Sequence, residues 1–191
     1  MKPLRRAAFT FARWNRNRKA RFALEVVERL NVESVLLVGV SDRVGTMINM
    51  VERQIAERVT FAVASGLADN AGWDRYVVSD GRRLPFADHA FDLVYANAVI
   101  EHVGGPADQK RFLDEVDRVG RTWIVTTPNK WFPVEAHYHT LFSHWRESWS
   151  PRGTVTRLLG KKDLQALSSG AEVRGLPFVS PTLSVVGWPE P

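Results

Sequence analysis

Residues 80–103 read DGRRLPFADHAFDLVYANAVIEHV. Phe91–Ala96 within it is an apolar run of strand length, rich in aromatic and β-branched residues. Asp80-Gly81 upstream is a turn dipeptide, reached from a short apolar run at Tyr76–Val78. Leu84-Pro85-Phe86 forms an apolar hook between the two runs. Ala96-Asn97-Ala98-Val99-Ile100-Glu101-His102 then leaves the strand and enters a helix start. One stretch therefore holds two strand ends, each followed by polar or small residues.

Working outward, Ser34–Val40 (SVLLVGV) is continuously apolar, as a strand buried on both faces must be. Val59–Ala64 and Thr122–Thr126 read as further strands, the last stopped by Pro128. Helical spacing is expected over Arg13–Leu30, Val44–Glu57, Gln109–Val119 and Lys161–Ser168. Two more strands are expected near 171–175 and 182–187. Short apolar strands alternating with helices predict a mostly parallel sheet with crossover helices. The order β-α-β-β-α-β fits a Rossmann-like α/β domain. Such sheets bind ligands at the carboxyl ends of their strands. That rule selects Gly39–Gly45, Ala64–Gly66, Asp80–Arg82, Ala96–His102 and Thr127–Trp131 for inspection.

At 191 residues the chain is one domain long. A hydrophobic fraction of 45% suits a globular protein with a real core. No apolar run has the length of a membrane span, and the first residues lack a signal-peptide core. A cytoplasmic protein is the expectation. The absence of cysteine excludes disulfides, thiolate metal sites and a cysteine nucleophile.

The net charge of +5 is concentrated at one end. Lys2, Arg5, Arg6, Arg13, Arg16, Arg18, Lys19 and Arg21 precede the first acid, Glu25. The rest of the chain carries 18 basic against 21 acidic residues, so the body is net acidic. Phe9, Phe11, Trp14 and Phe22 are interleaved with those cations. Two readings stay open: a solvated helix packing its aromatic side on the domain, or a segment resting on an anionic surface. The acidic body argues against nucleic acid as the main partner. The organisation expected is a basic aromatic segment, 1–21, and a single domain, 22–191.

The Asp80–Val103 block resembles the central block of small bacterial class I S-adenosylmethionine (SAM) dependent methyltransferases. Thr126-Thr127-Pro128-Asn129-Lys130-Trp131-Phe132-Pro133 resembles the same family at the end of strand five. The resemblance implies a Rossmann-like class I fold, a mostly parallel central sheet flanked by helices, and SAM as cofactor. It implies that Asp80 and Gly81 meet adenine, the carboxylate accepting from the exocyclic amine. It implies that the backbone at Ala96 and Asn97 faces the methionine amino group, and that Gly39 and Ser41 form the turn beside methionine. Two departures stand out. Leu37 and Ser41 replace an acid and a glycine usual in that turn, and Val63-Ala64-Ser65-Gly66 lacks the usual ribose-binding acid. Asp69 is the nearest carboxylate, several residues late.

His102 and His137 are the candidate general bases, their ordinary pKa lying near ~6.5. A histidine that orients the loop is the other reading of His102. Glu135, His137 and His139 have a spacing that zinc could use, but methyl transfer of this class needs no metal and none is expected. Trp131, His137, His139, His144 and Trp145 are instead expected to line an acceptor pocket. The function implied is methyl transfer to a small-molecule, saccharide or lipid-linked acceptor, with peripheral contact to the inner membrane face through the basic segment. The alternative is a methyltransferase-like fold that binds or scaffolds without transferring methyl groups.

Overall fold

The computed structural model describes residues 3–41, 45, 47–68, 72–134, 141–145 and 155–189. Asp42, Asp69, Glu135, His137 and His139 lie outside them. The chain forms helix α1 (Pro3–Arg29), strand β1 (Ser34–Val38), α2 (Met50–Ala56), β2 (Phe61–Gly66), β3 (Tyr76–Val78), β4 (Phe91–Asn97), α3 (Pro106–Val119), β5 (Gly120–Pro128), α4 (Lys161–Leu167), β6 (Glu172–Arg174) and β7 (Thr182–Gly187). All seven strands join one sheet in the order β3-β2-β1-β4-β5-β7-β6. The first five pair in parallel, and β7 runs antiparallel to both β5 and β6. The mixed α/β architecture expected from the strand–helix alternation is the one observed.

The sheet is buried on both faces. One face carries Leu36, Val94, Val125 and Val185 against Phe112, Leu113 and Val116 of α3 and Leu164 of α4. The other carries Leu37, Leu93, Tyr95, Ile124 and Val186 against Ala20, Ala23, Val26 and Val27 of α1 and Val51 and Ile55 of α2. This two-sided burial explains why the strands read as unbroken apolar runs. The buried residues Phe112, Leu113, Val116 and Val119 form one stripe of α3, as the helical period predicts.

Two helices depart from expectation. α1 is a single helix that begins ten residues before the periodic apolar stretch, crossing the boundary at 21/22 without a break. Its early part is held by polar and aromatic contacts rather than by an apolar stripe, so periodicity does not detect it. α2 is shorter than expected because Asn49, at φ 52, closes a loop before it. The Asn49 side chain accepts from the Ser41 N–H at 2.9 Å and donates to the Ser41 carbonyl at 2.8 Å. That pair ends the turn after β1 and delays the helix.

Candidate active site

The strand order defines where a ligand belongs. From β1 the chain moves outward through β2 to β3; β4 then returns to the other side of β1 and β5 continues away from it. The crevice beyond the carboxyl ends of β1 and β4 is therefore the topological switch point, the usual ligand position in open α/β sheets. Gly39 follows β1 on one side of it, and Asn97 ends β4 on the other.

Gly39 has φ 75, a left-handed conformation natural to glycine. A Cβ there would lie 2.4 Å from a methyl of Val99, so the turn after β4 sits directly on the turn after β1. The N–H groups of Gly39 and Val40 both donate to the Ser65 carbonyl, at 2.8 and 3.0 Å. Ser41 is tied to Asn49 as described. At the end of β2, the Ser65 hydroxyl is buried and has no hydrogen-bond partner. An orphaned buried hydroxyl is costly, and at a ligand-binding strand end it marks a donor or acceptor awaiting a partner.

Asp80 follows β3, and its carboxylate is 38% exposed. Arg82 grips it: the guanidinium donates through Nε at 3.0 Å to Oδ1 and through Nη2 at 2.6 Å to Oδ2, and the Arg82 N–H donates to Oδ1 at 2.9 Å. These bonds from Arg82 hold the Asp80 carboxyl below the usual carboxylate range. Arg82 also donates to the Val103 carbonyl and pairs with Asp108 at 3.4 Å, strapping the Asp80 turn to the start of α3. Gly81 is needed for packing, since a Cβ would meet the Phe112 ring at 2.7 Å.

The β4 end is the most polar part of the interior. Lys19 Nζ on α1 donates to Asn97 Oδ1 at 2.5 Å. Asn97 Nδ2 donates to Glu52 Oε1 on α2 at 2.9 Å, and the Thr126 hydroxyl donates to Asn97 Oδ1 at 2.9 Å. Glu52 is buried and its second oxygen has no hydrogen-bond partner. Burial pushes the Lys19 ammonium down to about 8, opposed by the attraction of Glu52. Ala98, next in the chain, has φ 58. A left-handed alanine costs on the order of 1 kcal/mol, and strain of this kind gathers at functional turns.

Ala96 is fully buried in β4, paired with Val38 and Val125 in the neighbouring strands. Glu101 is also fully buried, and accepts from the Thr127 hydroxyl at 3.0 Å. His102 is half-buried in a short 3-10 turn, Ile100–His102, its N–H donating to the Val99 carbonyl at 2.8 Å. Beyond β5, Trp131, Trp145 and Phe178 cluster with centroids 5.8 to 6.4 Å apart, each partly exposed. His144 is buried beside Trp145. The aromatic part of the expected acceptor wall thus comes together, while His137 and His139 fall outside the described residues.

Residues 40–122 match a family model described as a methyltransferase domain. The central part of this chain is thus similar to methyltransferase domains. The solved structures that resemble this chain agree in fold. The N-methyltransferase NodS from Bradyrhizobium japonicum WM9 superposes with a TM-score of 0.61 at 12% identity, covering 92% of this chain and 97% of NodS. A SAM-dependent methyltransferase from Aquifex aeolicus gives 0.54 at 14% identity, covering 86% and 87%. One from Mesorhizobium loti gives 0.54 at 14% identity, covering 80% and 89%. No curated protein sequence matches the chain.

SAM is the cofactor named for the Aquifex aeolicus structure, and the switch-point residues of this chain suit such a ligand. A left-handed glycine, an unpartnered buried hydroxyl and a part-exposed carboxylate stand at the carboxyl ends of β1, β2 and β3 in turn. They offer close backbone approach, a hydroxyl for polar contact and an acceptor for an amine. Sequence reading missed Ser65, Lys19 and Glu52. Ser65 could have been found as the hydroxyl standing where an acid was sought. The Lys19–Asn97 contact joins positions 78 apart and leaves no sequence signal.

Proposed function

We propose that the protein transfers a methyl group from SAM to a small-molecule, saccharide or lipid-linked acceptor. The observation that carries this reading is the polar cluster of Lys19, Glu52, Asn97 and Thr126 beside the switch point. A sheet interior tolerates such a cluster only at a cost, and its location is where a ligand's reacting end belongs. Bound SAM supplies a methyl group already activated on a sulfonium centre. The chain's work is then chiefly alignment of acceptor against methyl. In this reading Gly39, Ser41, Ala96 and Asn97 hold the methionine end, Asp80 and Gly81 the adenine, and Ser65 the ribose. His102 takes the acceptor proton where one must leave, and His137 is the second candidate for that role.

The aromatic wall of Trp131, Trp145 and Phe178 supports an acceptor with apolar or sugar faces. None of the described helices is long and apolar enough to cross a membrane. Exposed Phe9, Phe11 and Trp14 on the cationic α1 support resting contact with an anionic cytoplasmic membrane face. The test is label transfer from methyl-tritiated SAM into sugar and lipid fractions, with His102→Gln in parallel. Label in one fraction, reduced by the substitution, supports the reading. Label in no fraction, with SAM bound normally, argues for a binding protein instead.

A further inference from the structure

A pocket of about 340 Å³ opens between α1 and the β5–β7–β6 edge of the sheet. Its size falls within the range of small-ligand sites. Arg18, Lys19 and Arg21 line it from α1, Arg174 from β6, and Thr126, Thr182 and Ser184 from β5 and β7. Glu25 is the one acid among the described residues that line it. Four cations outnumber that acid, and although Lys19 also faces Glu52 and Arg174 also pairs with Glu172, the excess positive charge favours a bound anion.

Arg18 is the most telling of them. Its Nε is buried without a hydrogen-bond partner. Its Nη2 reaches the Asn15 side chain and the Thr182 carbonyl only at 3.5 Å, the limit of hydrogen bonding. Burial lowers its proton affinity, and the Trp14 ring lies 5.7 Å from the guanidinium carbon. Arg174 is held over the Phe22 ring at 4.3 Å, and its Nε pairs with Glu172 at 3.5 Å, leaving its two Nη groups for a ligand. A guanidinium fork with donors to spare is suited to a planar or tetrahedral oxyanion.

The pocket also adjoins the methyl-transfer site. Lys19 and Thr126 line it, and both donate to Asn97 Oδ1 at the end of β4. We propose that this pocket binds an oxyanion, phosphate or carboxylate, carried by the methyl acceptor, with Arg18 and Arg174 as its principal donors. The assignment of the anion to the acceptor rests on the methyltransferase reading; the anion site itself does not.

The test is calorimetric titration of the full chain with inorganic phosphate, with acetate and, separately, with S-adenosylhomocysteine. Arg18→Gln and Arg174→Gln are compared with Arg121→Gln, an exposed arginine at the start of β5, and circular dichroism checks that each is folded. Phosphate or acetate is expected to bind, and each pocket substitution to weaken it about tenfold, as loss of a charge-assisted bond would. Arg121→Gln leaves it unchanged. Phosphate binding tighter assigns a phosphate ester, and acetate at least equal assigns a carboxylate. Binding of neither anion, or equal binding in all variants, overturns the proposal. S-adenosylhomocysteine binding in that case leaves the methyltransferase reading standing. Anion binding without S-adenosylhomocysteine binding has the reverse meaning: the anion site holds, and its assignment to a methyl acceptor falls.

Discussion

Lys19 Nζ lies 2.5 Å from Asn97 Oδ1, tying the cationic N-terminal helix to the carboxyl end of β4. Asn97 passes the connection on to Glu52, so three elements meet at one amide. The helix α1 is thereby part of the wall of the site.

This bridge should be visible in stability. Lys19→Met removes the attraction between the Lys19 ammonium and Glu52, so its effect on stability should depend on the charge of Glu52, with a coupling of about 1 kcal/mol. In a Glu52→Gln background the lysine substitution should therefore be more favourable by that amount. Urea denaturation of both single variants and the double gives the coupling. Additive effects would show that Lys19 and Glu52 do not communicate through Asn97.

The same lysine imposes a pH dependence. Its folded pKa is pushed down from 10.5 to about 8, so between those values the unfolded chain binds more protons than the folded one. Stability from this group must therefore rise as pH increases from about 8 to about 10.5, and its penalty is present in full below about 8. The difference in stability between the natural protein and Lys19→Met should change in that window and stay flat from pH 6 to 7. A flat difference throughout would remove Lys19 as a buried cation.

Ser65 separates stability from binding. Its hydroxyl is buried without a partner, so Ser65→Ala should leave stability unchanged or raise it by up to about 1 kcal/mol. The same change should weaken S-adenosylhomocysteine binding several-fold. A variant less stable than the natural protein, with unaltered affinity, would make the hydroxyl structural.

Asp80 gives the complementary case. Its ion pair with Arg82 is more than a third exposed on both sides, and such pairs contribute at most about 1 kcal/mol. Asp80→Asn should therefore cost little in thermal denaturation but weaken S-adenosylhomocysteine at least about tenfold, since a charge-assisted bond is lost. Because Arg82 lowers the Asp80 pKa, affinity through this contact should not titrate between pH 5 and 8. An affinity unchanged in Asp80→Asn would detach the residue from the cofactor.

The strands were readable because two-sided burial writes each as an apolar run: Leu36 and Leu37 face opposite helices, as do Leu93 and Val94. α3 was readable because its one buried stripe repeats at helical spacing. The start of α1 was not, since its contacts are single side chains such as Phe11, stacked on Phe132 at 5.9 Å. Nor was the grip of Arg82 on Asp80, which lies within one turn yet depends on the backbone folding back there. The polar cluster is assembled from positions 19, 52, 97 and 126, and only the sheet brings them together. Local pattern thus reveals elements and strand ends, while the long-range polar contacts between them appear only in three dimensions.

The most direct test of the account is calorimetric titration of the full chain with S-adenosylhomocysteine. One-to-one binding with a dissociation constant below about 1 mM, weakened in both Ser65→Ala and Asp80→Asn, is the predicted result. No heat of binding at millimolar ligand, from folded protein, would contradict it.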